Sequence, residues 1–141
     1  MAEALPEFIA LEVVTPDRLV VREKVDSVTI PGKNGYLGIL PGHAPLLSEL
    51  EVGELTYVQD GKVHFLAVCW GFAEVLPERV TILAQTAEAA EEIDITRAEE
   101  ALKRAQERLK SLGDTNLDLE RARLAVLRAL TRLQVARNIG R

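Results

Sequence analysis

A single cysteine, Cys69, is all the thiol chemistry available to this chain of 141 residues. One thiol cannot close an internal disulfide, and its setting in the apolar run HFLAVCW suits a buried side chain. The only histidines are His43 and His64, and with Cys69 they make no metal-ligand spacing, so no metal site is expected. No apolar run approaches the ~20 residues that cross a bilayer as a helix. Positive charge is in deficit, with 17 Lys and Arg against 22 Asp and Glu and a net charge of −5, which argues against broad nucleic-acid binding. The first residues, MAEALPEF, are acidic and lack a basic segment followed by an apolar one, so a secretory signal is not expected and a cytosolic location is.

Scarce residue types are also unevenly placed. Every proline and every aromatic residue precedes Val80, and only Gly113 and Gly140 among the glycines follow it. After Thr86 the chain is dominated by Ala, Glu, Leu and Arg. That change of composition sets a domain boundary, giving an expected β-sandwich domain over 1–86 and a helical hairpin over 87–141. The apolar fraction of 48% is ordinary for a globular chain, and a chain this long buries roughly 70% of its unfolded surface.

In the first part, FIALEVVT, RLVVRE, VDSVTI, ELTYVQ, KVHFLAVC, FAEVL and RVTILA are short, apolar and rich in β-branched residues. Asp60-Gly61 between two of them predicts a type I′ hairpin, and Pro77-Glu78 predicts another. The expected fold class is α+β: an antiparallel β-sandwich or flattened barrel, then an antiparallel two-helix hairpin. In the second part, Ala98, Leu102, Ala105, Leu109 and Leu112 step by four and three, and Leu119, Ala122, Val126, Ala129, Leu133 and Ala136 do so again. Asp94 or Thr96 can cap the first helix, Thr96-x-x-Glu99 fits a capping box, and Gly113 with the DTN segment fits the turn. Seams this rich in alanine bury little apolar area, so an opening transition of the hairpin is physically reasonable.

The segment TIPGKNGYLGILPGHAPLL, Thr29 to Leu47, poses the functional question. As a phosphate cradle it fails: the G-x-x-x-x-G-K-[ST] order is absent and no helix pattern follows. As a catalytic loop it fails too, because His43 has no nucleophile or carboxylate near it in PGHAP. No residue set in the chain makes an active site, and a non-catalytic role is expected. Phe65, Trp70 and Phe72 read as core or interface. The last helix is basic, with Arg121, Arg123, Arg128, Arg132, Arg137 and Arg141, and acids fade after Glu120. An anionic partner or ligand, or a solvated face, accounts for that.

GILPGHAPLLSEL, Gly38 to Leu50, together with DGK, GFAEV, VTILA and the closing RALTRLQVAR, resembles the epsilon subunit of the F-type rotary ATP synthase, across nearly the whole chain. The resemblance implies a subunit of the central stalk of a proton-translocating ATP synthase. Its implied partners are the gamma subunit, the c-ring and the alpha and beta subunits, and its implied location is the cytoplasmic face of the bacterial inner membrane, as a peripheral component. It implies a rigid foot against c-ring and gamma, made by Tyr36, Leu37, Pro41, Gly42, His43, Ala44 and Pro45, with Tyr36 and Leu37 at its tip. It also implies inhibition of ATP hydrolysis when the hairpin extends, with Arg121, Arg123, Arg128, Arg132 and Arg137 meeting beta. No cofactor is required, but IDITRA matches the I/L-D-x-x-R-A motif of members that bind regulatory ATP. The ATP contacts implied are Glu88, Ile93, Asp94, Arg97, Ala98, Arg104, Arg128 and Arg132. The alternative for Asp94 is a helix cap and for Arg97 a solvent-facing charge; the alternative for the chain is a stand-alone ATP-sensing adapter.

Overall fold

Strand alternation dictates how the first part of the chain folds. In β1 (Ile9–Val14), Ile9, Leu11 and Val13 are fully buried while Ala10 points outward, because successive side chains leave a strand on opposite faces. The same rule orders β2 (Leu19–Val25), β3 (Ser27–Gly32), β4 (Gly35–Ile39), β5 (Leu46–Leu50), β6 (Gly53–Gln59), β7 (Lys62–Leu76) and β8 (Arg79–Ala89). The computed structural model describes residues 4–111 and 116–138, and the chain forms two compact units, Met1–Ala89 and Ala90–Arg141.

The eight strands form one sheet in the order β2-β1-β8-β7-β5-β3-β4, with β6 pairing both β3 and β7. Because β5 and β6 lie end to end between β3 and β7, the sheet bends over a single core that includes Leu11, Ile30, Leu55, Leu66 and Ile82. This is the expected sandwich with one departure from antiparallel pairing, since β1 runs parallel to β8, Ala10 beside Arg79 and Val14 beside Leu83. The Asp60-Gly61 turn has φ of 51° and 75° at its two residues, as a type I′ hairpin requires. KVHFLAVC and FAEVL are one strand, β7, 15 residues long. The register runs unbroken across their junction, Cys69 beside Thr86 and Gly71 beside Ala84, with Trp70 opposite Gln85. The first half of β7 pairs with β6 and the second half with β5. Strand β8 continues to Ala89, so the change of composition after Thr86 falls inside a strand.

The second unit begins with a 3₁₀ turn at Ala90–Glu92 and continues as α1 (Ile95–Ser111) and α2 (Asn116–Ala136). Asp94 caps α1, its Oδ1 accepting the Arg97 N–H at 3.1 Å, so Thr96 stands in the first turn and not at the cap. On α1 the buried side chains are Ala98 and Ala105, with Leu102 and Leu109 half-buried. On α2 Ala122, Ala129, Leu133 and Ala136 are buried and Leu119 and Val126 half-buried. Leu112, Gly113 and the Asp114-Thr115 part of the expected turn lie outside the described residues.

Candidate functional site

The β3–β4 hairpin turns at Lys33-Asn34, and Gly32 pairs with Gly35 across it. Gly35 has φ of 127°, a conformation that L side chains rarely adopt. The tip is therefore Lys33 and Asn34, while Tyr36 and Leu37 stand on β4. Leu37 turns toward the core and packs on it. Tyr36 stays 61% exposed, yet its hydroxyl accepts the Glu54 N–H at 3.3 Å. A Cβ at Gly53 would sit 2.7 Å from the Pro31 Cβ and 3.0 Å from the Tyr36 hydroxyl, so glycine there lets the tyrosine lie across the hairpin onto β6. At the tip, the Lys33 ammonium lies 3.0 Å from the Glu49 carboxylate. Glu49, by hydrogen bond first and charge second, raises the Lys33 pKa above its ordinary 10.5. Between this hairpin and β5 is a shallow groove of about 350 Å³, with Asn34, Leu46 and Leu47 among its walls.

The segment 40–45 is pinned at several points. The Gly42 N–H donates to the Pro77 carbonyl at 2.8 Å, and the His43 N–H to the Leu40 carbonyl at 3.1 Å. Gly42 has φ of 87°, and a Cβ there would come within 2.8 Å of the Leu5 side chain. His43 Nδ1 lies 2.7 Å from the Ala44 carbonyl, a contact that commits this nitrogen as a donor. Pro41, Gly42 and His43 are half-buried, and Ala44 and Pro45 are exposed. Around them Leu40, Leu46 and Leu47 are 66%, 37% and 71% exposed. The loop leads into β5 and not into a helix, so it has no phosphate-binding geometry.

A second apolar surface escaped sequence reasoning. Register places Phe72 beside Leu83, Leu83 beside Val14, and Val14 beside Leu19, a row across β7, β8, β1 and β2. Phe72, Leu83 and Leu19 are all exposed. Contiguous exposed apolar surface of this kind marks an interaction site. The signal was present in FAEVL and RVTILA as single apolar residues, Phe72 and Leu83, on their outer faces, but only the pairing register joins them into one patch. Phe65 and Trp70 are half-buried.

In the second unit, Arg97 and Arg104 are exposed and seven residues apart on α1, and Arg128 and Arg132 are half-buried and one turn apart on α2. Ile93 and Ala98 are buried, and Glu88 is on β8 in the first unit. Arg121, Arg123 and Arg137 are exposed, and so are Leu127 and Leu130 on the same helix. Among the described residues no group of three His, Cys, Asp or Glu side chains could hold a metal, and no helix is long and apolar enough to cross a membrane.

A bent β-sandwich with a pinned loop flanked by exposed leucines, followed by a hairpin of helices, defines a two-part α+β protein. The comparisons with known proteins make this particular. Residues 8–90 match the family of the ATP synthase delta/epsilon chain β-sandwich domain, and residues 91–137 match that of the delta/epsilon chain long α-helix domain. The ATP synthase epsilon chain of Koribacter versatilis is 60% identical over 109 residues, 77% of each chain. That of Geotalea daltonii is 46% identical over 137 residues, 97% of this chain and 99% of that one. A chain in the cryo-EM structure of the Euglena gracilis mitochondrial ATP synthase, comprising OSCP, F1 and c-ring, superposes with a TM-score of 0.82 at 26% identity, covering 96% of this chain and 85% of that one. The chain belongs to the ATP synthase delta/epsilon family, as an epsilon-type subunit of the rotary enzyme's central stalk.

Proposed function

We propose that the chain is a non-catalytic rotor subunit that seats on the c-ring and gamma and restrains ATP hydrolysis through its helices, at the cytoplasmic face of a bacterial membrane. The observation that carries this reading is the pinned loop 40–45, held by Pro77 and Leu5 yet surrounded by exposed Leu40, Leu46 and Leu47. A foot that passes torque must not deform, and fixed backbone dihedrals with hydrogen-bonded turns resist deformation. The surface around Leu46, Leu47 and Tyr36 suits the ring, and the Phe72–Leu83 row suits gamma. The exposed leucines and arginines of α2 suit an acidic, partly apolar surface on beta when the hairpin opens. Ending the chain after Glu92 tests the inhibitory part: assembly with gamma should persist while ATP hydrolysis by the complex rises. Unchanged hydrolysis would leave coupling as the sole role.

A second reading concerns ATP as a regulatory ligand of the helical unit. It is favoured by Arg97, within the IDITRA segment, and Arg104, two exposed cations on one face of α1. A ligand bound only to the folded hairpin at a hundredfold excess over Kd would stabilise it by about 2.7 kcal/mol. Calorimetric titration of the chain with ATP, with Arg97→Ala as control, measures this. Absence of binding heat at millimolar ATP would remove the reading without touching the rotor role.

A further inference from the structure

We propose that the outer face of β2, β1 and β8 carries an anion site for a phosphate-type oxyanion, separate from the helical unit and from both apolar surfaces. Register sets Lys24 and Arg79 on either side of Ala10, one on each neighbouring strand. Strands lie about 4.8 Å apart, so the two Cα atoms are separated by roughly 10 Å, and both long side chains can close on one anion above the Ala10 methyl. A shallow cavity of about 540 Å³ occupies this place, with Ala10, Arg22, Lys24 and Arg79 among its walls.

Its charge balance is unusual for this chain. The cavity has three cations and two carboxylates on its walls, within a protein of net charge −5. Both carboxylates are engaged. Glu12 holds the Nε of Arg22 at 3.0 Å, and Glu23 accepts the Gln59 amide at 3.1 Å. Lys24 and Arg79 make no ion pair among the described residues. The Gln59 amide also donates to the Lys24 carbonyl at 3.1 Å, which fixes the strand from which the lysine projects. The Ala10 N–H donates to the Glu78 carbonyl at 2.9 Å and fixes the start of β8 from which Arg79 projects. The floor is the smallest side chain in the row, so space and uncommitted charge coincide. Arginine forks a phosphate through paired N–H groups, and lysine adds a point charge beside it.

The test is amide NMR of the isotope-labelled full chain, titrated with sodium phosphate at constant ionic strength against sodium chloride. The expected result is a saturable shift confined to Ala10, Lys24, Arg79 and their neighbours, absent with chloride. Lys24→Gln or Arg79→Gln should each weaken it roughly tenfold, and Ala10→Glu should abolish it with the remaining spectrum intact. Both cations are exposed, so neither substitution threatens folding. Vesicles of phosphatidylglycerol and of phosphatidylcholine separate the sources: loss of the same signals with the anionic lipid alone assigns a headgroup, and a response to phosphate without it assigns a soluble ligand. Shifts reproduced by chloride, or unchanged in Lys24→Gln/Arg79→Gln, would overturn the proposal.

Discussion

Trp70 and Gly71 hold backbone conformations that their neighbours on β7 do not. Trp70 has φ of 42°, unusual for a bulky residue, and Gly71 has φ of 133°. A Cβ on Gly71 would collide with the Leu83 carbonyl oxygen, so the position excludes every side chain. Gly71→Ala is expected to destabilise the chain by at least roughly 1–3 kcal/mol, read as a lower midpoint in urea unfolding, because strain and collision add. A midpoint equal to wild type would show that the backbone at Gly71 can relax at no cost. Asp94 gives a second prediction at this scale. Asp94→Ala removes the cap on Arg97 N–H and should cost about 1 kcal/mol of stability in the helical unit. Asp94→Asn, which keeps an accepting oxygen, should recover most of it. The Lys33–Glu49 pair is of another kind: both side chains are more than half exposed, and solvent screens it. Since the Lys33 pKa is raised, what the pair contributes is present at neutral pH and is lost only as pH rises through that elevated value.

Elements differ in how much of their geometry is local. The β6–β7 hairpin is set by Asp60-Gly61, whose positive φ values follow from residue type, and it was readable. So were both helices, by their four-and-three spacing, and the cap, by Asp94. The β3–β4 hairpin was read less well. Its tip is Lys33-Asn34, while Tyr36 reaches back across β3 to Glu54. That contact spans 18 residues of sequence, and no local rule announces it. Tyr36→Phe is expected to leave the fold intact and lose about 1 kcal/mol at most, measurable by denaturant midpoint, because the hydroxyl is one hydrogen bond on an exposed edge.

For the whole molecule, the two units divide the work. In the sheet unit, loop 40–45 is tied to the β7–β8 turn through Pro77, which on the proposed function would carry a push on the foot into the longest strands. The proposed opening of the helical unit is consistent with α1, whose buried side chains are the alanines Ala98 and Ala105, each removing little apolar area from water. Leu47→Asp should leave stability of the isolated chain within about 0.5 kcal/mol, as an exposed position does, while weakening its retention by the assembled ring in co-purification. Retention equal to wild type would remove Leu47 from the foot.

Sequence alone determined the two-part layout, the hairpin at Asp60-Gly61, both helices and the Pro-Gly-His-Ala-Pro loop that points to the family. Each depends on the conformational preferences of neighbouring residues or on a repeat of two or 3.6, and these are local quantities. Tertiary structure alone decided which strands meet. The parallel β1–β8 pair, the close approach of Gly71 to the Leu83 carbonyl, the Phe72–Leu83 row and the placing of Lys24 and Arg79 around Ala10 all arise from register between distant segments. Register is chosen by which pairing buries the inner faces of all strands at once, and that choice belongs to the assembled core rather than to any stretch of chain.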